Sequence, residues 1–420
     1  MDRIPLAIVG CGGMGHRHLY GLAELTNAGL SRFELVAACD PWTSNAESLA
    51  NDAEERLGTR PAVVGTLAEL EALGVAAVDI TTTPPYHHSL AVEAMERGMH
   101  VMVEKPAGLT VKGGNRIRAA QEKSGRVVSV AENYRRDPIN RLGKALLDTG
   151  VIGTPRVMIH HTMGGADKML ISVWRHQKNQ SGVLLDVGVH YADILEFYLG
   201  PITTAYAQSR LHEKYRLNPA AGGGENASNP AGVYGKWQKD MPGRFEATAE
   251  DASYATLTFA SGAVASYVED HATHGQGVWT RRIYGSTGSF DLPNDRSGNV
   301  ITLHKDGESI SDERLLEMVP DFRLDATTAA LFGGDRLWRY DFPFNETDRK
   351  LLAVEYGEFG DAIASGGSVE VDAYQGTRSV AISYAMLESS VAGRAVTIEE
   401  VLNESLGEYQ RDIDEELGLA

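Results

Sequence analysis

The feature that most constrains this chain is a glycine run set directly after an apolar stretch. Residues 6–9 read Leu-Ala-Ile-Val, and Gly10, Cys11, Gly12, Gly13, Met14 and Gly15 follow at once. A buried strand that runs into G-x-G-x-x-G and opens a helix near Met14 is the phosphate-cradling turn of a dinucleotide-binding fold. The glycines permit a tight turn and let backbone N–H groups and the positive end of the helix approach a pyrophosphate. A glycine turn of purely structural use is the alternative, and the surrounding pattern argues against it.

That pattern alternates short β-rich runs with amphipathic segments. It predicts strands at 6–9, 33–38, 62–64, 77–81, 100–103 and 127–131, with the clearest helices at 66–73 and 88–97. Strands separated by crossover helices make a parallel sheet. After about residue 135 the rhythm changes to longer strand-like runs at 156–161, 252–259, 263–269 and 281–284, with helices at 187–199, 348–364 and 374–390. The expected fold is therefore α/β: a Rossmann dinucleotide-binding domain over 1–133, then an α+β domain over 134–420 with a large open, mostly antiparallel sheet. Residues 218–243, rich in Gly, Asn and Pro, read as a long loop, and a loop of that length is expected to be a functional lid or a mobile insertion.

Composition narrows the partners. A formal charge of −18 with no long Lys/Arg run excludes nucleic acid. Much of the excess lies in 399–416, read as a solvated helix face. Two cysteines, Cys11 and Cys39, cannot form a disulfide framework, which fits a reducing compartment. With no leader-like start and no run of ~20 apolar residues, a cytoplasmic protein without membrane contact is expected.

Asp40 closes the second strand, where a carboxylate accepts hydrogen bonds from the adenosine ribose, and no Arg follows it to receive a 2′-phosphate. This predicts NAD, although a strand-end Asp capping the next helix is the competing reading. Thr82, Thr83, Pro84 and His87 at the end of the fourth strand, and Glu104 and Lys105 at the end of the fifth, lie where such sheets bind ligands. A Lys there can hydrogen-bond a substrate hydroxyl and ease alkoxide formation during hydride loss. Further on, Asp186 and His190 are four apart, so on a continuous helix the carboxylate would orient the imidazole as a proton acceptor. The histidines of the second half, His160, His161, His176, His190, His271 and His274, show no zinc-ligand spacing with acidic residues, so no metal is expected.

Together these pieces resemble the glucose-fructose oxidoreductase / inositol dehydrogenase / rhizopine-catabolism (Gfo/Idh/MocA) family. The resemblance rests on Gly10 to Gly15, Thr83-Pro84-Pro85 with His87 and His88, Glu104-Lys105-Pro106, and Asp186-x-Gly188-x-His190-x-x-Asp193. It departs where members often carry three glycines before the later Asp and this chain has Ser181-Gly182-Val183-Leu184-Leu185. The resemblance implies hydride transfer between NAD and a ring hydroxyl of a sugar or cyclitol, with Lys105, Asp186 and His190 facing nicotinamide and substrate. It also implies a homodimer or homotetramer assembled through the second domain. Some relatives use the same hydride step for redox-neutral glycoside cleavage, in which ring oxidation, elimination, water addition and re-reduction return the cofactor unchanged; this alternative stays open. Arg135, Trp174, Arg175 and His176 are candidate substrate contacts, and their positive charge makes an anionic guest such as a uronoside or sulfosugar an option. Contact with cofactor pyrophosphate or solvent is the other use for those cations.

Overall fold

The computed structural model describes residues 3–224 and 227–420. Six strands form the first sheet: β1 (Ile4–Val9), β2 (Phe33–Cys39), β3 (Ala62–Val64), β4 (Ala77–Ile80), β5 (His100–Glu104) and β6 (Val128–Ala131). Their order is β3-β2-β1-β4-β5-β6, all parallel, so the chain reverses direction across the sheet between β1 and β4. Strands buried on both faces read as continuous apolar runs, which is why Leu6 to Val9 show no alternation. Small residues on the helix Thr43–Leu57, namely Ala46, Ala50 and Ala53 beside Leu49, turn inward and let it lie close. Thr66 and Thr110 cap the helices that follow them by accepting the N–H of Glu69 and Gly113.

Nine strands form the second sheet, from β7 (Pro155–Gly165), β8 (Ile202–Arg210), β11 (Ala252–Phe259), β12 (Val264–Thr273), β13 (Val278–Gly285), β14 (Gly288–Leu292), β15 (Thr302–Lys305), β16 (Glu308–Ile310) and β17 (Val396–Thr397); β9 (Tyr215–Leu217) and β10 (Arg244–Glu246) pair separately. The order is β16-β15-β14-β13-β7-β12-β11-β8-β17. Every pairing is antiparallel except β7 with β12, where Val157 stands beside Val264 in parallel register. The sheet is thus mixed at its centre and antiparallel elsewhere.

Two late helices bind the halves together. Phe344–Ser365 lies on the Rossmann helix Gly13–Asn27, where a Cβ added at Gly21 would collide with Leu352. Ala373–Ala392 packs on Val111–Ser124, where a Cβ at Gly114 would strike Thr377. Among the described residues no helix is long and apolar enough to cross a membrane. The acidic stretch near the end forms two short helices, Ile398–Leu402 and Arg411–Glu416, and it is not wholly solvated: Asp414 is buried.

The predicted loop at 218–243 is a strap. The antiparallel pair β9 and β10 pinches its two roots together, with Leu217 opposite Arg244 and Tyr215 opposite Glu246. Gln238 is buried within it and donates to the carbonyls of Ile171 and Ser228. From this base in the second half of the chain, the segment from Ser228 to Met241 crosses to the glycine turn. Residues 225 and 226 of the predicted loop fall outside the described residues.

Candidate active site

A cleft of about 1160 Å³ runs along the carboxyl ends of β1, β4, β5 and β6 and is walled opposite by segments of the second half. Gly10, Gly12, Gly13 and Met14 line one end with Asp40, Pro41 and Trp42. Gly10 has φ +97, and a Cβ there would lie 2.8 Å from the backbone nitrogen of Thr82. Only glycine accepts both the conformation and the contact. No side chain caps the helix Gly13–Asn27 and no acidic residue stands in its first turn, so its positive end is open to the cleft. Asp40 is fixed by the N–H groups of Cys11 and Trp42, each at 2.8 Å, which leaves lone pairs on both oxygens for ribose hydroxyls. Uncapped helix end, glycine turn and oriented carboxylate fit an adenine dinucleotide, and this is an NAD-binding Rossmann domain.

Gly15 does not line the cleft; a Cβ there would run into the carbonyl oxygen of Gly10, so it serves the close packing of helix on strand. Thr82, Thr83 and Pro84 line the cleft, but His87 does not. Its ring nitrogens lie 2.7 Å from the carbonyl oxygen of Pro106 and 3.1 Å from that of Thr82. His87 therefore ties the turns after β4 and β5 to each other, which corrects its expected cofactor contact.

Lys105 extends from the end of β5 and donates to the backbone oxygen of Asp186 at 2.8 Å and to its Oδ1 at 2.9 Å. Oδ2 of Asp186 accepts Nε of Arg175 at 2.7 Å. Burial would raise the pKa of Asp186, but Arg175 and Lys105 outweigh it and hold the carboxyl well below the usual range. Asp186 therefore stays ionised between two cations.

The expected pairing of Asp186 with His190 does not form. The chain makes a short helix Val183–Asp186, then a separate one, Gly188–Leu199, and the N–H of His190 bonds the carbonyl of Val187, three residues back, at 3.0 Å. That tighter turn breaks the i, i+4 stacking on which the expectation rested. Nδ1 of His190 instead meets Glu132, at 2.8 and 2.7 Å from its two carboxylate oxygens. Burial would raise the Glu132 pKa, yet His190 and the N–H of Tyr134 bring it below the ordinary value. The Tyr134 ring stacks on the imidazole with centroids 4.3 Å apart and planes within 7°. Nε2 of His190 has no hydrogen-bond partner among the described residues, and His190 lines the cleft with Lys105, Asn133 and Tyr134.

Of the other expected substrate contacts, Trp174 and Arg175 line the cleft, while Arg135 and His176 do not. Arg135 forks onto the buried Asp193 through Nε at 2.7 Å and Nη2 at 2.6 Å, because a carboxylate taken wholly out of water needs a counter-charge. His176 accepts the N–H of Leu170 at 2.9 Å, and burial, helped by Arg216, lowers its pKa to about 3. It is a neutral structural acceptor. Lys178, nearby in sequence, pairs with Asp412 at the surface.

Sequence reading missed Glu132, though it stands at the end of β6 as Glu104 stands at the end of β5, and that shared position was the available signal. It also missed what lies behind Glu104. Oε1 of Glu104 meets Nε2 of His18 at 3.0 Å, Nδ1 of His18 meets Asp79 at 2.9 Å, and Tyr356 donates to the same Asp79 carboxylate. Burial would lower the His18 pKa, but the two carboxylates raise it well above the usual value, so the imidazole is a fixed cation under the cleft floor. From the strap, Tyr234 lies over Gly13, where a Cβ would run into its ring, with its hydroxyl 3.3 Å from Sδ of Met14. Lys236 donates to Ser48 at 2.9 Å.

Two family models match the chain. One is described as an oxidoreductase family with an NAD-binding Rossmann fold and covers residues 4–132; the other, that family's C-terminal alpha/beta domain, covers 144–398. Levoglucosan dehydrogenase of Pseudarthrobacter phenanthrenivorans is 25% identical over 424 residues, spanning 96% of this chain and 100% of the relative. D-apiose dehydrogenase of Paraburkholderia graminis is 32% identical over 221 residues, 50% of this chain and 54% of the relative. A solved levoglucosan dehydrogenase in complex with NADH and L-sorbose has a TM-score of 0.73 at 21% identity, covering 96% of this chain and 100% of that one. An oxidoreductase domain protein from Kribbella flavida has a TM-score of 0.75 at 22% identity, with 95% and 100% covered. Both structures share the fold.

Proposed function

This chain belongs to the Gfo/Idh/MocA oxidoreductase family, and on that premise we propose that it moves a hydride between NAD and a ring hydroxyl of a sugar or cyclitol. The observation that carries this reading is the convergence of Lys105 and His190 on one cleft, each held by its own carboxylate, Asp186 and Glu132.

Gly10, Gly12, Gly13, Met14, Asp40, Thr82, Thr83 and Pro84 hold the cofactor, and bound NAD supplies the hydride acceptor. Lys105 uses two of its three N–H donors on Asp186, which leaves one for the oxygen of the reacting hydroxyl. That contact strengthens as the oxygen gains negative charge, so it lowers the barrier. Glu132 accepts the proton on Nδ1 of His190 and thereby fixes the tautomer in which Nε2 is the base. The carboxylate also stabilises the imidazolium once Nε2 has taken the hydroxyl proton. Asp186 positions Lys105 and Arg175 without itself exchanging protons. Trp174 and Arg175 complete the substrate wall.

The redox-neutral glycosidase is a second reading, and the observation that favours it is the strap. A ring laid over Gly13 encloses the cofactor's phosphate turn, which suits a reaction that returns its hydride in place. The residues Val157, Tyr206, Val278 and Tyr284 are exposed on one face of the nine-stranded sheet and support a homo-oligomer built on that face.

The experiment offers purified protein and NAD a panel of free sugars, cyclitols and aryl glycosides. Accumulation of NADH with a free sugar or cyclitol is the expected result. Aglycone release without net NADH selects the second reading, and inertness toward the whole panel despite NAD binding overturns both.

A further inference from the structure

Arg296 is built into the cleft wall in a way its pairing does not explain. Its backbone has φ +61, a left-handed conformation that strains a non-glycine residue. The strain is held by its own N–H, which donates to Oδ2 of Asp137 at 2.7 Å. The side chain is thereby placed among aromatic rings, with the guanidinium carbon 5.1 Å from the centre of Tyr134 and 4.9 Å from that of Phe344. Such a guanidinium carries five N–H donors. One finds an acceptor among the described residues, Nη1 on Oδ1 of Asp348 at 3.2 Å, and Nε is buried with none.

Asp348 is moreover already taken. Arg17 forks onto it, Nε at 2.9 Å from Oδ2 and Nη2 at 2.5 Å from Oδ1. Two guanidinium groups thus share one carboxylate, and both line the cleft. Arg175, the other arginine at this end, is differently placed: its Nε is committed to Asp186 and its Nη1 to Ser172. The Tyr134 ring beside Arg296 is the one stacked on His190, so the unfilled donors stand one aromatic ring away from the proposed base.

We infer that Arg296 recognises a carboxylate carried by the sugar, so that the substrate is a uronate whose reacting hydroxyl lies at His190 and whose carboxylate lies on the guanidinium. This deepens the proposed hydride transfer and rests on it for the orientation of the ring. A planar carboxylate matches the two-pronged donor set of a guanidinium, and at a side chain only 18% exposed each charge-assisted bond strengthens. The ring stack on Tyr134 and Phe344 holds the fork in place before the substrate arrives.

The test titrates D-glucuronate and D-galacturonate, each against its neutral hexose, onto the NADH-loaded protein by calorimetry, with NADH affinity measured separately by fluorescence. At least one uronate is expected to bind about 10- to 100-fold tighter than its hexose. In Arg296→Gln that ratio falls to near one with NADH affinity unchanged, and Arg296→Lys, which keeps the charge without the fork, retains part of it. Equal binding of uronates and hexoses by the unaltered protein overturns the inference, as does an unchanged ratio in Arg296→Gln. A loss of NADH affinity in Arg296→Gln also overturns it and gives the guanidinium to the cofactor's phosphates. Oxidation of neutral sugars by protein that shows no preference for uronates leaves the proposed function standing, so the two failures are separable.

Discussion

His190 finds its carboxylate on Glu132, 58 residues earlier in the chain, and not on Asp186, four residues before it. The pair joins the end of a Rossmann strand to a helix of the second half, so the proposed base is assembled by the approach of the two sheets. In Glu132→Gln the amide oxygen still accepts the Nδ1 proton but no longer offsets a charge on the ring. A fall in kcat of about 10²-fold is expected, with KM within threefold. Steady-state kinetics decide it, and an unchanged kcat removes Glu132 from the mechanism.

Lys105→Met should lower kcat by about 10²- to 10³-fold while NAD binding persists, because its third donor is assigned to the reacting oxygen and none to the cofactor. Asp186 keeps Arg175 as its counter-charge, so the variant folds. Cofactor titration and single-turnover rates on the same sample check the split. A variant that loses NAD affinity and kcat in equal measure speaks against the assignment.

Tyr234→Gly uncovers the phosphate turn and should speed NAD release about fivefold, the loss of one aromatic contact of ~1 kcal/mol. Gly13→Ala should act in the same direction, since its methyl group would displace that ring. Stopped-flow displacement of NADH measures both, and an unaltered release rate in Tyr234→Gly means that the strap does not gate the cofactor.

Stability should depend on pH through Glu355. Both its carboxylate oxygens are buried without a hydrogen bond, and burial, only partly countered by Arg136 and His18, lifts its pKa to about 8. The native state then binds the proton more tightly than the unfolded chain. Its contribution is complete below the unfolded value near 4.5 and is lost as pH rises toward 8. Glu355→Gln abolishes that loss, so calorimetry should find its unfolding free energy gaining on that of the unaltered protein between pH 5 and pH 8, by on the order of a few kcal/mol. A constant difference across this range refutes the assignment.

What was legible in the sequence was local. The glycine turn, Asp40, Lys105 and the six parallel strands each follow from a short run of residues, and β6 ends at Ala131 as its hydrophobic run does. The late helices were legible too, from apolar spacing at 348–364 and 374–390. What was not legible depends on chain reversals. The Asp186 and His190 spacing presumed a continuous helix, and the turn at Val187 rotates the two apart. Arg135 and His176 carry the chemistry of a binding site, but Asp193 and the N–H of Leu170 claim them. Spacing along one segment cannot show a partner supplied by another. Arg296 carried no sequence signal, since its role comes from a strained loop and a shared Asp348.

The helix Gly13–Asn27 leaves Gly21 open for Leu352 and sends the buried Arg17 to Asp348, both on the helix Phe344–Ser365. During synthesis, residues 4–132 emerge from the ribosome long before that covering helix is made. Until then the nascent nucleotide-binding half carries an uncovered groove and a cation without its carboxylate. Its maturation is consequently tied to synthesis of the chain through Ser365, and messages broken before Phe344 would yield fragments suited to capture by chaperones and proteases rather than free-standing dinucleotide binders.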